Sequence, residues 1–175
     1  MANLRNRDRL VFFDVETTGL DHRKGHRIIE IGAIAMESNQ IMSEYQSLIH
    51  VDVPIPRHVS RIHGITNDML AGQPEPEKVF PEVKNFMADS VLVAHNAKFD
   101  IGFLRSEFNR LKLSFTNQIF CTLEISRRRY PRLSNYKLET LYCHLVGPVP
   151  ADAQRHRALA DARMVAAVWM VMEGK

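Results

Sequence analysis

The chain has 175 residues, of which 45% are hydrophobic and 25% charged, a composition ordinary for a globular protein, and we expect residues 1–175 to form one domain. Its two cysteines, Cys121 and Cys143, have no metal-type spacing, which argues against a disulfide scaffold and a zinc site. The net charge of +3 suits a polyanionic partner without identifying one.

No apolar stretch approaches the length of a membrane span, so no membrane partner is expected. The N-terminus is polar and basic and lacks the apolar segment of a secretory signal. We therefore expect a cytoplasmic protein.

The first half of the chain predicts three strands and then two helices. Apolar and β-branched runs indicate strands at 10–15, 27–36 and 41–51, and the short link Ser38-Asn39-Gln40 favours a hairpin. Pro54 and Pro56 interrupt the pattern. A short helix follows Thr66, and a longer one covers 76–87.

The second half alternates strands with helices. Strands are predicted at 90–94 and 119–122, and helices at 99–111, 123–129, 137–146 and 158–172. An antiparallel meander followed by strand–helix alternation predicts an α/β fold, with helices packed on a mixed sheet.

Asp14 and Glu16 interrupt the first apolar strand. Residues two apart in a strand point to the same face, so both carboxylates project together with Leu10 and Phe12. Two adjacent like charges repel and raise a pKa. The alternative is a strand end already in solvent.

Acids also occur at two later junctions. Asp161 shares a helix face with Val165 and Val168, the face expected to pack inward, and His156 lies at or before the start of that helix. Asp100 begins the helix after the fourth strand. Taken singly, His156 could be a surface or capping residue, and Asp100 could complement a helix dipole.

One sheet edge could gather all four acids, and this coincidence predicts a divalent-metal site. Mg²⁺ prefers carboxylate and water oxygens, and two such ions can assist phosphodiester hydrolysis. Histidine ordinarily has a pKa near neutrality, so His156 is suited to accept a proton from the attacking water.

These residues occur in three segments that resemble the motifs of DnaQ-like exonucleases of the DEDDh type, which include the epsilon subunit of bacterial DNA polymerase III. The segments are Phe12 to Leu20, His95 to Asp100 and His156 to Asp161, in order. The resemblance runs from about Leu10 to Val171. It implies a ribonuclease H-like five-stranded mixed sheet and a metal-dependent 3′–5′ exonuclease.

The resemblance also implies roles for individual residues. Asp14, Glu16 and Asp161 would ligate one Mg²⁺ or Mn²⁺ ion, Asp14 would hold a second, and Asp100 would act largely through water. His156 would be the general base, and nucleoside 5′-monophosphates would be released. The 3′-terminal nucleotide would be bound by Thr17, Thr18, Gly19, Leu20, His63, Asn96 and Phe99.

Two of these predicted binding residues and one basic segment also have a structural interpretation. His63 could be an ordinary loop residue beside Gly64, and Leu20 could belong to the core. The basic segment from Arg127 to Arg132, with Lys137, could follow the phosphate backbone or form a solvated helix end.

Three functions stay open: cleavage of single-stranded DNA ends, which is favoured, the same chemistry on RNA or short oligonucleotides, and an inactive nucleic-acid-binding or scaffold protein. A DNA polymerase is a candidate partner. Because the chain stops at Lys175, directly after the last predicted helix, we expect no polymerase-tethering segment. Either a free-standing exonuclease or a piece of a longer protein fits this expectation.

Overall fold

Five strands form one mixed sheet in the computed structural model, which describes residues 9–150 and 156–174. The strands in spatial order are β3 (Gln40–Leu48), β2 (Ile28–Glu37), β1 (Leu10–Thr17), β4 (Val91–Ala94) and β5 (Ile119–Cys121). The pairs β1–β2 and β2–β3 are antiparallel, and β1–β4 and β4–β5 are parallel. This topology confirms the predicted α/β fold, with its meander followed by parallel strands.

Helices cover the sheet and lead from one parallel strand to the next. A 3-10 turn at His22–Lys24 follows β1, and no helix in the described ranges is long and apolar enough to cross a membrane. The α-helices are α1 (Arg57–His63), α2 (Asn67–Leu70), α3 (Pro76–Met87), α4 (Ala97–Arg110), α5 (Thr122–Arg129), α6 (Leu138–Leu145) and α7 (Ala158–Met172).

Helix α1 lies where the sequence predicted only an interruption. Pro56 is the residue before its first turn, and Gly64, with a φ of 74°, ends it in the left-handed conformation. Proline is tolerated where a helix begins because the first amides have no partner within the helix. The proline before this segment and the glycine after it were the signal of a helix.

The two faces of β1 pack against different helices, as its alternation predicts. Val11, Phe13 and Val15 join a core that includes Phe80 of α3 and Phe103 of α4. On the other face, Phe12 packs with Val165 and Trp169 of α7. Asp14 and Glu16 continue the Phe12 face and so point towards α7.

The start of α7 lies directly against the backbone of β2. Gly32 is paired with Asp14 across the β1–β2 ladder, and a Cβ atom on Gly32 would lie 2.1 Å from the amide nitrogen of Leu159. Only the residues from Leu10 to Phe12 of β1 pair with β4. Asp14 therefore extends past the carboxyl end of β4, where α4 begins.

Candidate active site

Three carboxylates from β1 and α7 converge at this edge of the sheet. One oxygen from each of Asp14, Glu16 and Asp161 lies within 4.8 Å of the others. All three side chains are partly buried, so the alternative of a strand end in open solvent does not describe Asp14 and Glu16.

Burial is the main cause that raises the pKa of each of these carboxyls, and charges of neighbouring acids add to it. The pKa of Asp14 lies well above its ordinary value, mainly through burial and then through the charge of Asp100. Burial, followed by the charge of Asp161, raises the pKa of Glu16 to about 9. The pKa of Asp161 is raised to about 6 by burial, against which His156 acts. Arg157 and His156 oppose these shifts at Glu16 and Asp161 without cancelling them.

Asp100 approaches the same cluster from α4. Its residue is only 2% exposed, at the end of the first helical turn. Burial raises the pKa of its carboxyl to about 8, and backbone hydrogen bonds at Asp100 and Val15 oppose that shift. Asp100 is outside the group of three mutually close carboxylates, yet it is the strongest charged influence on Asp14.

The donor set fits a divalent cation. Within residues 9–150 and 156–174, no lysine or arginine forms an ion pair with Asp14, Glu16, Asp100 or Asp161. Hard cations such as Mg²⁺ and Mn²⁺ take carboxylate oxygens as ligands. A bound cation would offset the repulsion that raises the pKa values of these acids.

His156 lies at the rim of the cluster, just before α7. Its residue is exposed, and its backbone has a φ of 55°, in the left-handed region. The next residue, Arg157, precedes the first turn of α7. The influence of His156 on the pKa of Asp161 places it within electrostatic reach of the carboxylates.

The turn after β1 is held by bonds to the start of β2. Thr17 Oγ1 donates to the carbonyl of Gly19 over 2.7 Å, and Thr18 exchanges hydrogen bonds with the backbone of Arg27. A Cβ on Gly19 would lie 2.5 Å from the ring of His26, so the close approach requires glycine.

Leu20 is 85% exposed, which overturns the alternative of a core residue. It directly follows the turn formed by Thr17 to Gly19, so an apolar side chain stands in solvent at the edge of the site. An isolated exposed leucine is common on protein surfaces.

His63 is the last residue of α1 and is buried, so the loop alternative does not hold. Its Nδ1 accepts a hydrogen bond from the amide of Ile65 over 3.0 Å. Its Nε2 is buried without a hydrogen-bond partner among the described residues. Burial lowers the pKa of the ring, which favours the neutral form with a proton on Nε2. The backbone of Thr17 opposes this shift, which places the Nε2 donor beside the turn after β1.

Asn96 and Phe99 lie at the start of α4. Asn96 is exposed and has a left-handed φ of 62°, and the ring of Phe99 packs against that of Phe103 at 4.9 Å with a tilt of 50°. The preceding His95 bonds Thr122 and the carbonyl of Tyr136 through its two ring nitrogens. His95 therefore anchors this junction.

Sequence analysis missed Glu30 and Arg157, which hold α7 beside the carboxylates. Glu30 lies opposite Glu16 across the ladder, and its carboxylate pairs with the Arg157 guanidinium at 2.7 Å. It also accepts bonds from the amide of Ala158 and from Gln46. The position of Glu30 within the otherwise apolar strand β2 could have indicated a buried acid with a role, as the position of Asp14 in β1 did.

Two arginines of the predicted basic segment contact other parts of the protein. The Arg127 guanidinium lies over the ring of Tyr136, and Arg129 bonds the carbonyl of Met172 and pairs with Glu173. Arg129 therefore ties α5 to the end of α7, while Arg128 and Arg132 are exposed.

The exonuclease family model, RNase_T, matches residues 11–169. A DNA polymerase III PolC-type protein of Caldanaerobacter subterraneus subsp. tengcongensis is 36% identical over 162 residues, which cover 93% of this chain and 11% of that protein. DNA polymerase III subunit epsilon of Rickettsia typhi is 37% identical over 181 residues, and the match covers 99% of this chain and 76% of that protein. The chain thus spans about a tenth of the PolC-type relative's length.

A solved structure of exonuclease X in complex with 5′ overhanging duplex DNA is similar to this fold, with a TM-score of 0.76 and 29% identity. The similarity covers 94% of this chain and 91% of that chain. With the family model matched over most of its length, the chain belongs to the exonuclease family, which confirms the predicted resemblance and enzyme class.

Proposed function

We propose that this protein is a 3′–5′ exonuclease that removes nucleoside 5′-monophosphates from the 3′ end of single-stranded DNA. The observation that carries the proposal is the convergence of Asp14, Glu16 and Asp161 within 4.8 Å, with Asp100 close behind. Carboxylates gathered without a cationic partner suit metal-assisted phosphodiester hydrolysis. The family match supports the same class of reaction.

Asp14, Glu16 and Asp161 are the proposed ligands of one divalent ion, and Asp14 also holds the second, with Asp100 acting through water. Two ions there would offset the charge that develops on the attacking and leaving oxygens. The raised pKa values of Asp14 and Glu16 support this assignment, because they reflect burial together with the charges of the neighbouring acids, which a bound cation would offset.

His156 is the proposed general base. Its position before α7 allows the imidazole to accept a proton from the attacking water while Asp161, one turn further, takes part in metal binding. The charge of His156 opposes the rise in the pKa of Asp161, which supports its placement beside the proposed metal ligands.

The proposed pocket for the 3′-terminal nucleotide combines the turn from Thr17 to Gly19 with His63 and Phe99. The buried donor on His63 Nε2 can bond a sugar or base oxygen, and the ring of Phe99 offers a stacking surface. Leu20, exposed at the edge, would contact the terminal base. Asn96 would complete the pocket from the start of α4.

The identity of the substrate and partners belongs to the same proposal. RNA or short oligonucleotides would use the same carboxylates, so the preference for DNA requires direct comparison. Relatives named as DNA polymerase III components make a polymerase the partner to test. A single domain over residues 1–175 and a cytoplasmic location stay predictions.

The test is the incubation of 5′-labelled DNA and RNA single strands of one sequence with Mg²⁺ or Mn²⁺. We expect a metal-dependent ladder that shortens from the 3′ end, abolished by EDTA and by Asp14→Asn. Asp52→Asn is the matched control, because Asp52 is fully exposed. His156→Ala should slow cleavage by about 100- to 10,000-fold while metal binding persists. Cleavage of neither strand would favour the binding or scaffold alternative.

A further inference from the structure

A basic groove runs along the outer face of α4 and plays no part in the proposed cleavage step. It is open, has a volume of about 710 Å³, and we call it the α4 groove. Its walls include His22 of the 3-10 turn and Lys98, Gly102, Arg105, Ser106 and Arg110 of α4.

The cations of the α4 groove lack counter-charges. Lys98, Arg105 and Arg110 are exposed, and none of them forms an ion pair with any residue that the structure describes. Within the described part of the chain, no acid lines the groove. Both acids of this helix, Asp100 and Glu107, are buried, and Glu107 pairs with Arg27. Like charges left together in this way attract a polyanion.

Two contacts hold the walls of the groove in place. The ring of His22 packs edge-on against Phe103 at 5.7 Å, and a Cβ on Gly102 would lie 3.0 Å from that ring. Glycine at 102 therefore allows His22 to lie close to α4. The guanidinium of Arg105 lies over the ring of Phe115 at 5.6 Å, which directs its charge along the helix.

The groove is long enough for several phosphates. Lys98 and Arg110 are twelve residues apart on one helix, which corresponds to about 18 Å. At about 3.4 Å per nucleotide along each strand of duplex DNA, this length matches roughly five nucleotides. Lys98 and Arg105 are seven residues apart and so lie on the same side of the helix, and Arg110 lines the groove near the end of α4.

The groove begins beside the carboxylate cluster and leads away from it. Lys98 is two residues before Asp100, whose side chain is buried on the opposite face of the same helix turn. His22 follows the exposed Leu20 by two residues. A nucleic acid with its 3′ end at the carboxylates would thus have its continuing backbone within reach of the groove.

We propose that the α4 groove binds the phosphodiester backbone of the nucleic acid whose 3′ end is cleaved. This inference rests on the proposed function and adds a second contact region to it. Two sources share the chemistry: the continuing part of the cleaved strand, and the complementary strand of a duplex end.

The test measures binding without cleavage. Fluorescence anisotropy with EDTA present compares a labelled single strand with a duplex that has a 5′ overhang. In the Arg105→Gln/Arg110→Gln variant we expect about tenfold weaker binding and a salt slope reduced by about one per lost contact. The matched control, Lys78→Gln/Lys84→Gln, removes the same charge from α3 and should change affinity less than twofold.

The two DNA probes distinguish the sources. Weaker binding of both probes assigns the groove to the cleaved strand, and weaker binding of the duplex alone assigns it to the complement. Equal losses in the groove variant and the α3 control would overturn the proposal, since net charge alone would then account for them. Unchanged melting temperatures confirm that both variants fold.

A small substrate separates this inference from the proposed function. The p-nitrophenyl ester of thymidine 5′-monophosphate has no continuing backbone, so the Arg105→Gln/Arg110→Gln variant should hydrolyse it at the wild-type rate, while kcat/KM for the oligonucleotide falls about tenfold. If wild-type protein hydrolyses neither substrate, the proposed function fails, yet the anisotropy result still decides whether the groove binds DNA.

Discussion

The ion pair between Glu30 and Arg157 provides a direct test of how α7 is held beside the carboxylates. The Glu30 side chain has no solvent exposure, whereas the Arg157 side chain is 24% exposed, and their atoms approach to 2.7 Å. Removal of Arg157 leaves a fully buried carboxylate without its cation. Removal of the Glu30 charge leaves a guanidinium that can reach water. We therefore expect Arg157→Gln to destabilise the protein more than Glu30→Gln.

The remaining contacts of Glu30 and Arg157 determine how much stability each substitution should cost. Breaking a buried ion pair by removing one partner costs about 3–5 kcal/mol. We expect Arg157→Gln to lower the free energy of unfolding by about 3–4 kcal/mol. The loss stays within this range because Gln46 and the amide of Ala158 still donate hydrogen bonds to Glu30. For Glu30→Gln we expect about 1.5–3 kcal/mol, the range for hydrogen bonds to charged groups, because the new amide can still accept from Ala158.

The double variant decides whether the asymmetry has this cause. With Glu30→Gln and Arg157→Gln combined, no charge is left buried, so the free energy of unfolding should exceed that of Arg157→Gln alone by about 1 kcal/mol. Urea unfolding at constant pH, followed by circular dichroism, measures all three variants. The reasoning is refuted if Arg157→Gln costs no more than Glu30→Gln, or if the double variant is the least stable.

The same variants test whether α7 positions the proposed metal ligands. Because Asp161 lies one turn beyond Arg157, Glu30→Gln should raise the Mg²⁺ concentration for half-maximal cleavage at least about threefold. Arg163→Gln is the matched control on the same helix. It breaks an exposed pair with Glu44, so it should cost less than about 1 kcal/mol and leave the Mg²⁺ dependence unchanged.

Three further predictions concern the same edge of the sheet. The pKa of Glu16 is raised to about 9, so the folded protein keeps a proton that the unfolded chain releases near pH 4.5. Metal-free protein should therefore lose stability as pH rises between these two values. Saturating Mg²⁺ should abolish this loss, and urea unfolding with and without the metal measures it. Gly32→Ala forces a methyl group against the backbone of Leu159 and should cost about 3 kcal/mol in urea unfolding. The three atoms nearest to a Cβ at Gly19 all belong to the His26 ring, so Gly19→Ala should lower the rate of DNA cleavage and the added substitution His26→Ala should restore most of it.

The sequence allowed the carboxylates to be predicted because local periodicity decides where they point. Asp14 and Glu16 share a strand face, and Asp161 lies on the inward face of α7, so both placements follow from the 2.0 and 3.6 residue periods. The structure brings three of the acids together, as that argument requires. Asp100, which α4 carries, is outside this mutually close group, although its charge acts more strongly on Asp14 than that of any other acid.

The features that sequence reasoning missed depend on contacts between distant segments. Glu30 pairs with Arg157, which is 127 residues later in the chain, so no local pattern joins them. Helix α1 was missed because Pro54 and Pro56 were taken only as interruptions, although Pro56 stands where a helix tolerates proline. The α4 groove likewise requires the 3-10 turn at His22 to lie against α4.

The charge distribution implies an order for the proposed reaction. Burial and the charges of neighbouring acids raise the pKa values of Asp14 and Glu16, so ionisation of the whole cluster is unfavourable without a cation. Divalent cations would compete with protons for these carboxylates, so metal affinity should rise with pH. The free cations of the α4 groove lie outside the cluster and need no metal to attract DNA. Under this proposal, the groove can hold the backbone before the site is loaded, whereas the 3′ end is bound productively only afterwards.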